Sequence, residues 1–392
     1  MCLRVASIFF LTLVSATAAA AQVSQAEFRQ LLRDRAGFQD ADLSTLDSGQ
    51  TVIKILPADD KREVAVCGVL RLGKVSELTL AAFRDAITTS NNKAVLAEGK
   101  FSSPPVIEDL QPLKLEDRDI EELRKCEPGK CDIKISADMI NRIRSGVDWD
   151  APDYRDRATQ LFSTILVEYM RDYLLRGDKA LIQIDSRKIP VSLPDEYREM
   201  SERALFIKEF APEFYKYLND YPRYKLSDVD TGLLWSKVST GIKPIVTVTQ
   251  TSAYANIGAA LPQFVVMAKQ IFATRYVEDS LAFTYLVSFP GNDTTETYLV
   301  FTNRSRSDAL AGAFGGVKRS VVGRETTNRV QDLLQRAKLR LEAKDPSGST
   351  GQPDGPGMLS AVWDLGRSSI FLIFLAVSFA VIFIIVARRS RA

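Results

Sequence analysis

Residues 262–276 read PQFVVMAKQIFATRY and indicate the kind of sheet that this chain forms. On an extended chain, successive side chains point to opposite faces. One face then carries Phe264, Val266, Ala268, Gln270, Phe272, Thr274 and Tyr276, and the other carries Val265, Met267, Lys269, Ile271, Ala273 and Arg275. Both faces are fairly apolar, which predicts a strand covered by helices on one side and facing a cavity on the other.

Three further runs show the same period of two: PIVTVTQTSAYA before this stretch, and SLAFTYLVSF and TETYLVFTNRS after it. The links between successive runs are short, and links of this length join antiparallel neighbours. Residues 241–344 are therefore predicted to form an antiparallel meander followed by a long helix. The predicted buried stripe of that helix consists of Phe314, Val317, Val321, Leu334, Ala337 and Leu341.

The sequence before the meander has two parts. Residues 22–105 contain TVIKILP and REVAVCGVLRL around a short polar turn, a pattern typical of an antiparallel hairpin. The helix SELTLAAFRDAI and the strand KAVLAEGKF complete this N-terminal α+β segment of the sheet domain. Residues 106–240 are predicted as a helical insertion, whose longest helix begins near Pro152 and ends at Gly177.

This order of a hairpin, helices, an antiparallel meander and one long final helix resembles the helix-grip fold of START-like and polyketide-cyclase-like proteins. The resemblance implies an α+β fold in which a curved sheet wraps the final helix and encloses an apolar cavity. The segments KQIFATRY, FTNRSRSDAL and GAFGGVKRSVV are also similar to uncharacterised secreted bacterial proteins with a C-terminal membrane anchor. That second group implies no activity.

Four polar residues near the ends of the predicted strands are candidate ligand contacts. Gln270, Tyr276, Asn303 and Arg304 could orient the head group of a ligand held in the cavity of a helix-grip fold. The alternative for each residue is a solvated strand end or a hydrogen bond inside the core.

The chain contains 0 His, and this excludes several kinds of site. Ser-His-Asp and Cys-His catalysis, His-ligated zinc and c-type haem attachment all need an imidazole. No catalytic residue, cofactor or metal site is predicted, although carboxylate, Lys or Tyr chemistry is still compatible with the sequence. Removing Arg4 and the three tail arginines from 51 Lys+Arg leaves 47 against 49 Asp+Glu, a net charge of −2, so no nucleic-acid partner is expected.

The heptapeptide KCEPGKC spans residues 125–131. Its Pro-Gly turn brings Cys126 and Cys131 within reach of a disulfide, and this pair is the predicted bond. Two thiols are too few for a closed zinc site, and their spacing lacks the C-x-x-C geometry of a redox pair. Cys67 lies in an apolar run and is interpreted as a buried hydrophobic residue.

Both ends of the chain are apolar. Residues 1–21 have the charged start, apolar core and small-residue end of a signal peptide. Residues 345–367 are predicted as a flexible linker and juxtamembrane segment, and 368–387 as a transmembrane helix. The basic tail, residues 388–392, favours the cytoplasmic side. The sequence thus predicts a single-pass membrane protein whose body lies in the periplasm or outside the cell.

The leading functional hypothesis is a membrane-tethered extracytoplasmic domain that binds a lipid or other apolar ligand without catalysis. Its membrane contact is the C-terminal helix. Two alternatives are a cell-envelope interaction or scaffold protein, with an envelope protein as its partner, and an enzyme that works without His.

Overall fold

The computed structural model of the chain describes residues 23–75, 79–88, 94–240, 243–256, 263–290, 295–312 and 315–342. The predicted signal peptide, linker, transmembrane helix and basic tail lie outside these residues. Among the residues that are described, no helix combines the length and apolar character needed to cross a bilayer.

The helices are α1 (Gln25–Ala36), α2 (Asp40–Asp47), α3 (Leu80–Thr88), α4 (Asp117–Lys125), α5 (Ala137–Gly146), α6 (Tyr154–Arg176), α7 (Leu193–Glu202), α8 (Ile207–Phe210), α9 (Pro212–Asn219) and α10 (Gly315–Glu342). The strands are β1 (Val52–Leu56), β2 (Glu63–Leu72), β3 (Val95–Lys100), β4 (Gln183–Ile184), β5 (Val191–Ser192), β6 (Val229–Val238), β7 (Ile245–Asn256), β8 (Gln263–Ala273), β9 (Asp279–Pro290) and β10 (Thr295–Arg306). The predicted α+β class and the predicted antiparallel meander are confirmed.

Eight of these strands form one antiparallel sheet in the order β1-β2-β10-β9-β8-β7-β6-β3. The N-terminal hairpin joins the meander through β2 and β10, where Val69 lies opposite Val300. Strands from both ends of the chain therefore build a single sheet. Strands β4 and β5 form a separate short pair.

Strand β6 lies inside the span that the sequence predicts as a helical insertion. It pairs with β7 on one side and with β3 on the other. The sequence did not predict this strand because its polar Ser236 and Lys237 interrupt the apolar pattern, yet both residues are buried. Ser236 and Thr247 share a hydrogen bond between their hydroxyls (3.2 Å) across the β6–β7 pair.

Helices α10 and α3 cover one face of the sheet, which we call the helix face. Val330 and Leu334 of α10 pack directly on Gly68 of β2: a Cβ added to Gly68 would lie 2.7 Å from Val330 Cγ1 and 2.9 Å from Leu334 Cδ1. Phe83 of α3 stacks on Phe264 of β8, with ring centroids 6.0 Å apart. Helix and sheet are thus in direct contact at both places.

The buried stripe of α10 differs in its first half from the predicted one. It consists of Val322, Thr326, Val330, Leu333, Leu334, Ala337 and Leu341. Val317 was predicted to be buried and is instead 65% exposed. It precedes Val322 by five residues and so lies about 140° around the helix from it. Phe314 lies outside the described residues.

Helices α1 and α4–α9 cover the opposite face, which we call the insertion face. Tyr169 of α6 donates a hydrogen bond to the carbonyl of Ile271 (3.0 Å), and Tyr173 donates to Gln250 Oε1 (2.6 Å). Buried Arg275 forms ion pairs with Asp119 and Glu122 of α4. These polar contacts, together with a shared apolar core, fasten the insertion to the sheet as its second helical layer.

The predicted disulfide is present between Cys126 and Cys131, whose Cα atoms are 4.5 Å apart. Gly129 in the turn has φ +81°, a left-handed conformation that glycine adopts without a steric penalty. Two backbone hydrogen bonds hold this loop to the segment before β5: Gly129 N to Asp185 O (2.7 Å) and Cys131 N to Ser186 O (3.0 Å). Cys67 is free and buried in β2.

Two alanine substitutions test the direct packing of α10 on the sheet. Gly68→Ala is expected to lower the free energy of unfolding by about 1–3 kcal/mol, because its methyl group overlaps two buried side chains. Gly323→Ala, on the facing helix, meets only Ile55 at 3.6 Å and is expected to raise stability by about 0.5–1 kcal/mol by favouring the helical backbone. Chemical denaturation measures both values. Equal effects of the two substitutions would contradict the direct contact at Gly68.

Candidate functional site

A β-bulge in β8 changes which residues share a face. Val248 of β7 pairs with Phe272, while Thr249 pairs with Gln270, so Ile271 is an extra residue without a partner in β7. Ile271 and Phe272 consequently both pack into the core of the insertion face. The predicted alternation is confirmed from Phe264 to Ile271 and is wrong at Phe272, because the inserted residue places Phe272 on the same face as Ile271.

Four polar side chains meet on the helix face at one end of the sheet: Gln270, Ser280, Asn303 and Ser305, here called the polar patch. Gln270 lies opposite Ser280, and Ser280 lies opposite Ser305. Asn303 Nδ2 donates to Ser280 Oγ (3.0 Å), and Ser305 Oγ donates to Asn303 Oδ1 (2.8 Å). The patch continues the apolar surface formed by Ala282 and Phe301, which packs with α10.

The side-chain amide of Gln270 stands out within the polar patch. The residue is 4% exposed, and its Nε2 has no hydrogen-bond partner among the described residues. Burying an unpaired amide donor costs about 1–3 kcal/mol, so buried polar groups nearly always have a partner. The backbone carbonyl of Gln270, by contrast, accepts a hydrogen bond from the Tyr197 hydroxyl. The free amide is therefore a candidate contact for a ligand or a water molecule.

The structure separates the other two candidate ligand contacts from the polar patch. Tyr276 lies in the turn after β8 with φ +68°, and its carbonyl accepts a hydrogen bond from Ser307 Oγ. Arg304 follows Asn303 in an extended strand, so it points to the insertion face, where it pairs with Glu63. Of the four predicted contacts, the structure brings together only Gln270 and Asn303.

Two small crevices lie on the insertion face. The first is lined by Leu56, Met200, Ala204, Leu205, Leu281, Phe283, Thr302, Asn303 and Arg304. The second is lined by Ile135, Met139, Ile143, Phe162, Ile165, Leu166 and Phe272. Each has a volume of about 10 Å³, which is room for one water molecule. Neither admits an apolar ligand in this conformation.

A second polar arrangement, which the sequence did not predict, lies on the insertion face at the same end of the sheet. It consists of Asp60, Arg62, Glu63, Lys134, Glu196, Glu199, Glu278, Asp279, Arg304, Arg306 and Asp308, here called the charged cluster. Arg306 is 1% exposed and pairs with Glu63 (3.1 Å), Glu199 (3.0 Å) and Glu196. One signal in the sequence could have indicated this cluster: Arg304 and Arg306 lie two residues apart, and therefore on one face, at the end of a largely apolar strand.

Two carboxyl groups of the charged cluster have raised pKa values. Asp279 is completely buried, and burial, together with the neighbouring Glu196, raises its pKa well above the ordinary value, although Arg306 opposes this. Burial likewise raises the pKa of Glu278, against the attraction of Lys134 and Arg62. Both carboxyl groups with raised pKa values in the charged cluster are thus buried away from solvent.

Comparisons of the chain with protein families, curated protein sequences and solved structures found no match. The helix-grip resemblance accordingly depends on the order of the elements alone. The polar patch and the charged cluster are the features of this chain that bear on its function.

Two leucine substitutions distinguish the unpaired amide from its paired neighbour. Gln270→Leu is expected to raise the free energy of unfolding by about 1 kcal/mol, since it removes a buried donor without a partner. Asn303→Leu is expected to lower it by about 1–3 kcal/mol, because Ser280 and Ser305 each lose a hydrogen bond. Chemical denaturation of the ligand-free protein measures both, and destabilisation by Gln270→Leu equal to that of Asn303→Leu would refute the assignment.

Proposed function

We propose that the body of this chain binds an amphipathic ligand between the helix face of the sheet and α10, without catalysis. The observation that carries this proposal is the buried, unpaired amide of Gln270 beside the hydroxyls and amide of Ser280 and Asn303. A polar group of the ligand would complete the hydrogen bonds of Gln270.

The composition of the polar patch favours a particular kind of ligand. Its side chains are amides and hydroxyls without charge, so a neutral polar head such as a glycerol, an ester or a hydroxyl group suits it better than a phosphate. Ala268, Ala282 and Phe301 on the same face supply apolar surface for the rest of the molecule. Direct packing of α10 on Gly68 leaves the polar end of this face as the place for the head group.

The charged cluster does not favour an enzyme. Glu63, Asp279 and Arg306 are each at most 1% exposed, so a substrate in solution has no direct route to these groups. The ion pairs of Arg306 also join separate elements of the fold. Both features favour a role in stability or regulation over a carboxylate-based reaction.

We also propose that the body is extracytoplasmic and tethered to a membrane. The signal-peptide pattern of residues 1–21 and the apolar run 368–387, with Arg388, Arg389 and Arg391 after it, support this topology. The disulfide between Cys126 and Cys131 is consistent with an oxidising compartment. A tethered position would bring the polar patch near a supply of lipids.

Photo-crosslinking tests the ligand proposal. The full chain is reconstituted in nanodiscs that contain a monoacylglycerol with a photoreactive acyl chain, and crosslinked peptides are mapped by mass spectrometry. We expect labelled peptides from β8–β10, and Ser280→Val should reduce that labelling several-fold, because it removes a hydroxyl of the polar patch. Ser288→Val is the matched control, since Ser288 lies on the same strand and face but bonds to Thr297 (3.0 Å). Labelling confined to residues 358–387, or equally reduced by both substitutions, would contradict the proposal.

Thiol labelling of the protein from cells that are lysed directly in denaturant tests the proposed topology. After denaturation without reductant, Cys126 and Cys131 should resist a maleimide reagent and Cys67 should react, because only the first two are joined. A variant that lacks residues 1–21 is the control, and its three cysteines should all react if it stays in the reducing cytoplasm. Reaction of Cys126 and Cys131 in the unaltered chain would exclude the proposed location.

A further inference from the structure

The charged cluster fastens α7 to the end of the sheet. Glu196 of α7 accepts from Arg62 (2.9 Å) and also pairs with Arg306, which in turn reaches Glu199. Tyr197, next along the helix, accepts a hydrogen bond from the backbone N–H of Ser280 (3.2 Å). These contacts join α7, whose outer side is exposed, to the buried ends of β9 and β10. The ionic state of the cluster therefore affects whether α7 stays docked on the sheet.

Carboxyl groups outnumber cations in the charged cluster. The acids are Asp60, Glu63, Glu196, Glu199, Glu278, Asp279 and Asp308, and the cations are Arg62, Lys134, Arg304 and Arg306. A fifth cation, Arg187 at the exposed rim, reaches Asp308 at 3.6 Å. An excess of negative charge in a buried region is costly, and protonation of one carboxyl group relieves it.

Asp279 is the carboxyl group that the geometry selects for that proton. Its two oxygens accept no hydrogen bond from any donor in the described part of the chain, although Arg306 lies directly opposite on β10. The guanidinium of Arg306 is committed to Glu63, Glu196 and Glu199. A charged Asp279 would therefore be buried without a donor, whereas a protonated Asp279 can donate to the neighbouring carboxylate of Glu196.

We propose that Asp279 is protonated in the closed structure and donates a hydrogen bond to the carboxylate of Glu196, and that this hydrogen bond latches α7 onto the sheet. Loss of the proton leaves the charge of Asp279 buried beside the like charge of Glu196 and loosens α7. For a domain outside the cytoplasm, the latch would respond to the pH of the surroundings.

The direction of the pH dependence follows from the pKa shifts. Burial and Glu196 raise the pKa of Asp279 in the folded state above its ordinary 3.8, so its stabilising effect is complete below 3.8 and is lost as pH rises through the raised value. Glu278 acts in the same direction, because burial raises its pKa from 4.5. Asp60 acts in the opposite direction. Burial alone would raise the pKa of Asp60, but hydrogen bonds from Arg62 outweigh burial and lower it. The stabilising effect of ionised Asp60 is therefore lost as pH falls. The latch therefore opens as pH rises through the raised pKa of Asp279.

Hydrogen exchange of the full chain in detergent micelles tests the latch. Protection of the α7 amides is measured over a series of pH values and corrected for the intrinsic pH dependence of exchange. Because one proton is lost, protection should fall by up to about tenfold per pH unit above the raised pKa of Asp279. A protection that does not change with pH after this correction would overturn the proposal.

Three variants identify the groups that make the protection of α7 depend on pH. Asp279→Asn keeps a donor toward Glu196 but cannot ionise, so α7 should remain protected at high pH. Glu196→Gln removes the neighbouring like charge, and the loss of protection should then move to lower pH. Glu202→Gln is the matched control on the same helix, since Glu202 is exposed, lies outside the charged cluster and should not change the pH profile.

The variants also separate the latch from a merely structural role. An Asp279→Asn protein with the same pH slope as the unaltered chain would refute the role of the Asp279 proton. Should Asp279→Asn fail to fold, the pH shift of Glu196→Gln decides by itself, and an unchanged midpoint in that variant counts against the proposal.

Discussion

Strand β9 lies inside the sheet with every side chain from Asp279 to Phe289 buried, and this burial on both faces constrains the rest of the molecule. A sheet buried in this way needs a helical layer on each side. Helices α10 and α3 supply one layer, and the insertion supplies the other. The insertion is therefore part of the core, because without it the aromatic and aliphatic residues of β8–β10 would face water.

A strand with no solvent-facing side must also satisfy its polar groups internally. Polar residues on β9 and β10 are concentrated at one end of the sheet, where Ser280, Asn303 and Ser305 on the helix face alternate with Asp279, Arg304 and Arg306 on the insertion face. The polar patch and the charged cluster are consequently two sides of the same strand ends. Ser280 connects them physically, since its hydroxyl belongs to the patch while its backbone N–H donates to Tyr197 on α7.

Local signals in the sequence were sufficient for most of the elements and insufficient for the site. Alternating apolar runs located the meander, Gly177 ends α6, and the Pro-Gly turn led to the disulfide. No Gly or Pro marks the bulge at Ile271, so the placement of Phe272 on the same face as Ile271 could not be predicted from the sequence. The charged cluster was missed for a different reason, since Glu63 and Arg306 are 243 residues apart and meet only through the β2–β10 pairing.

That distant pairing explains why so many charges are buried at one place. Strands β2 and β10 are brought together from opposite ends of the chain, and apolar side chains alone would tolerate a register shifted by two residues. In the observed register, Glu63 lies directly opposite Arg306 and also pairs with Arg304. A shift that moved Glu63 away from both arginines would leave a buried carboxylate without its guanidinium partners, at a cost of about 3–5 kcal/mol. Because a buried ion pair adds little net stability over an apolar pair of similar size, its main contribution here is to make one register of the sheet much more favourable than its neighbours.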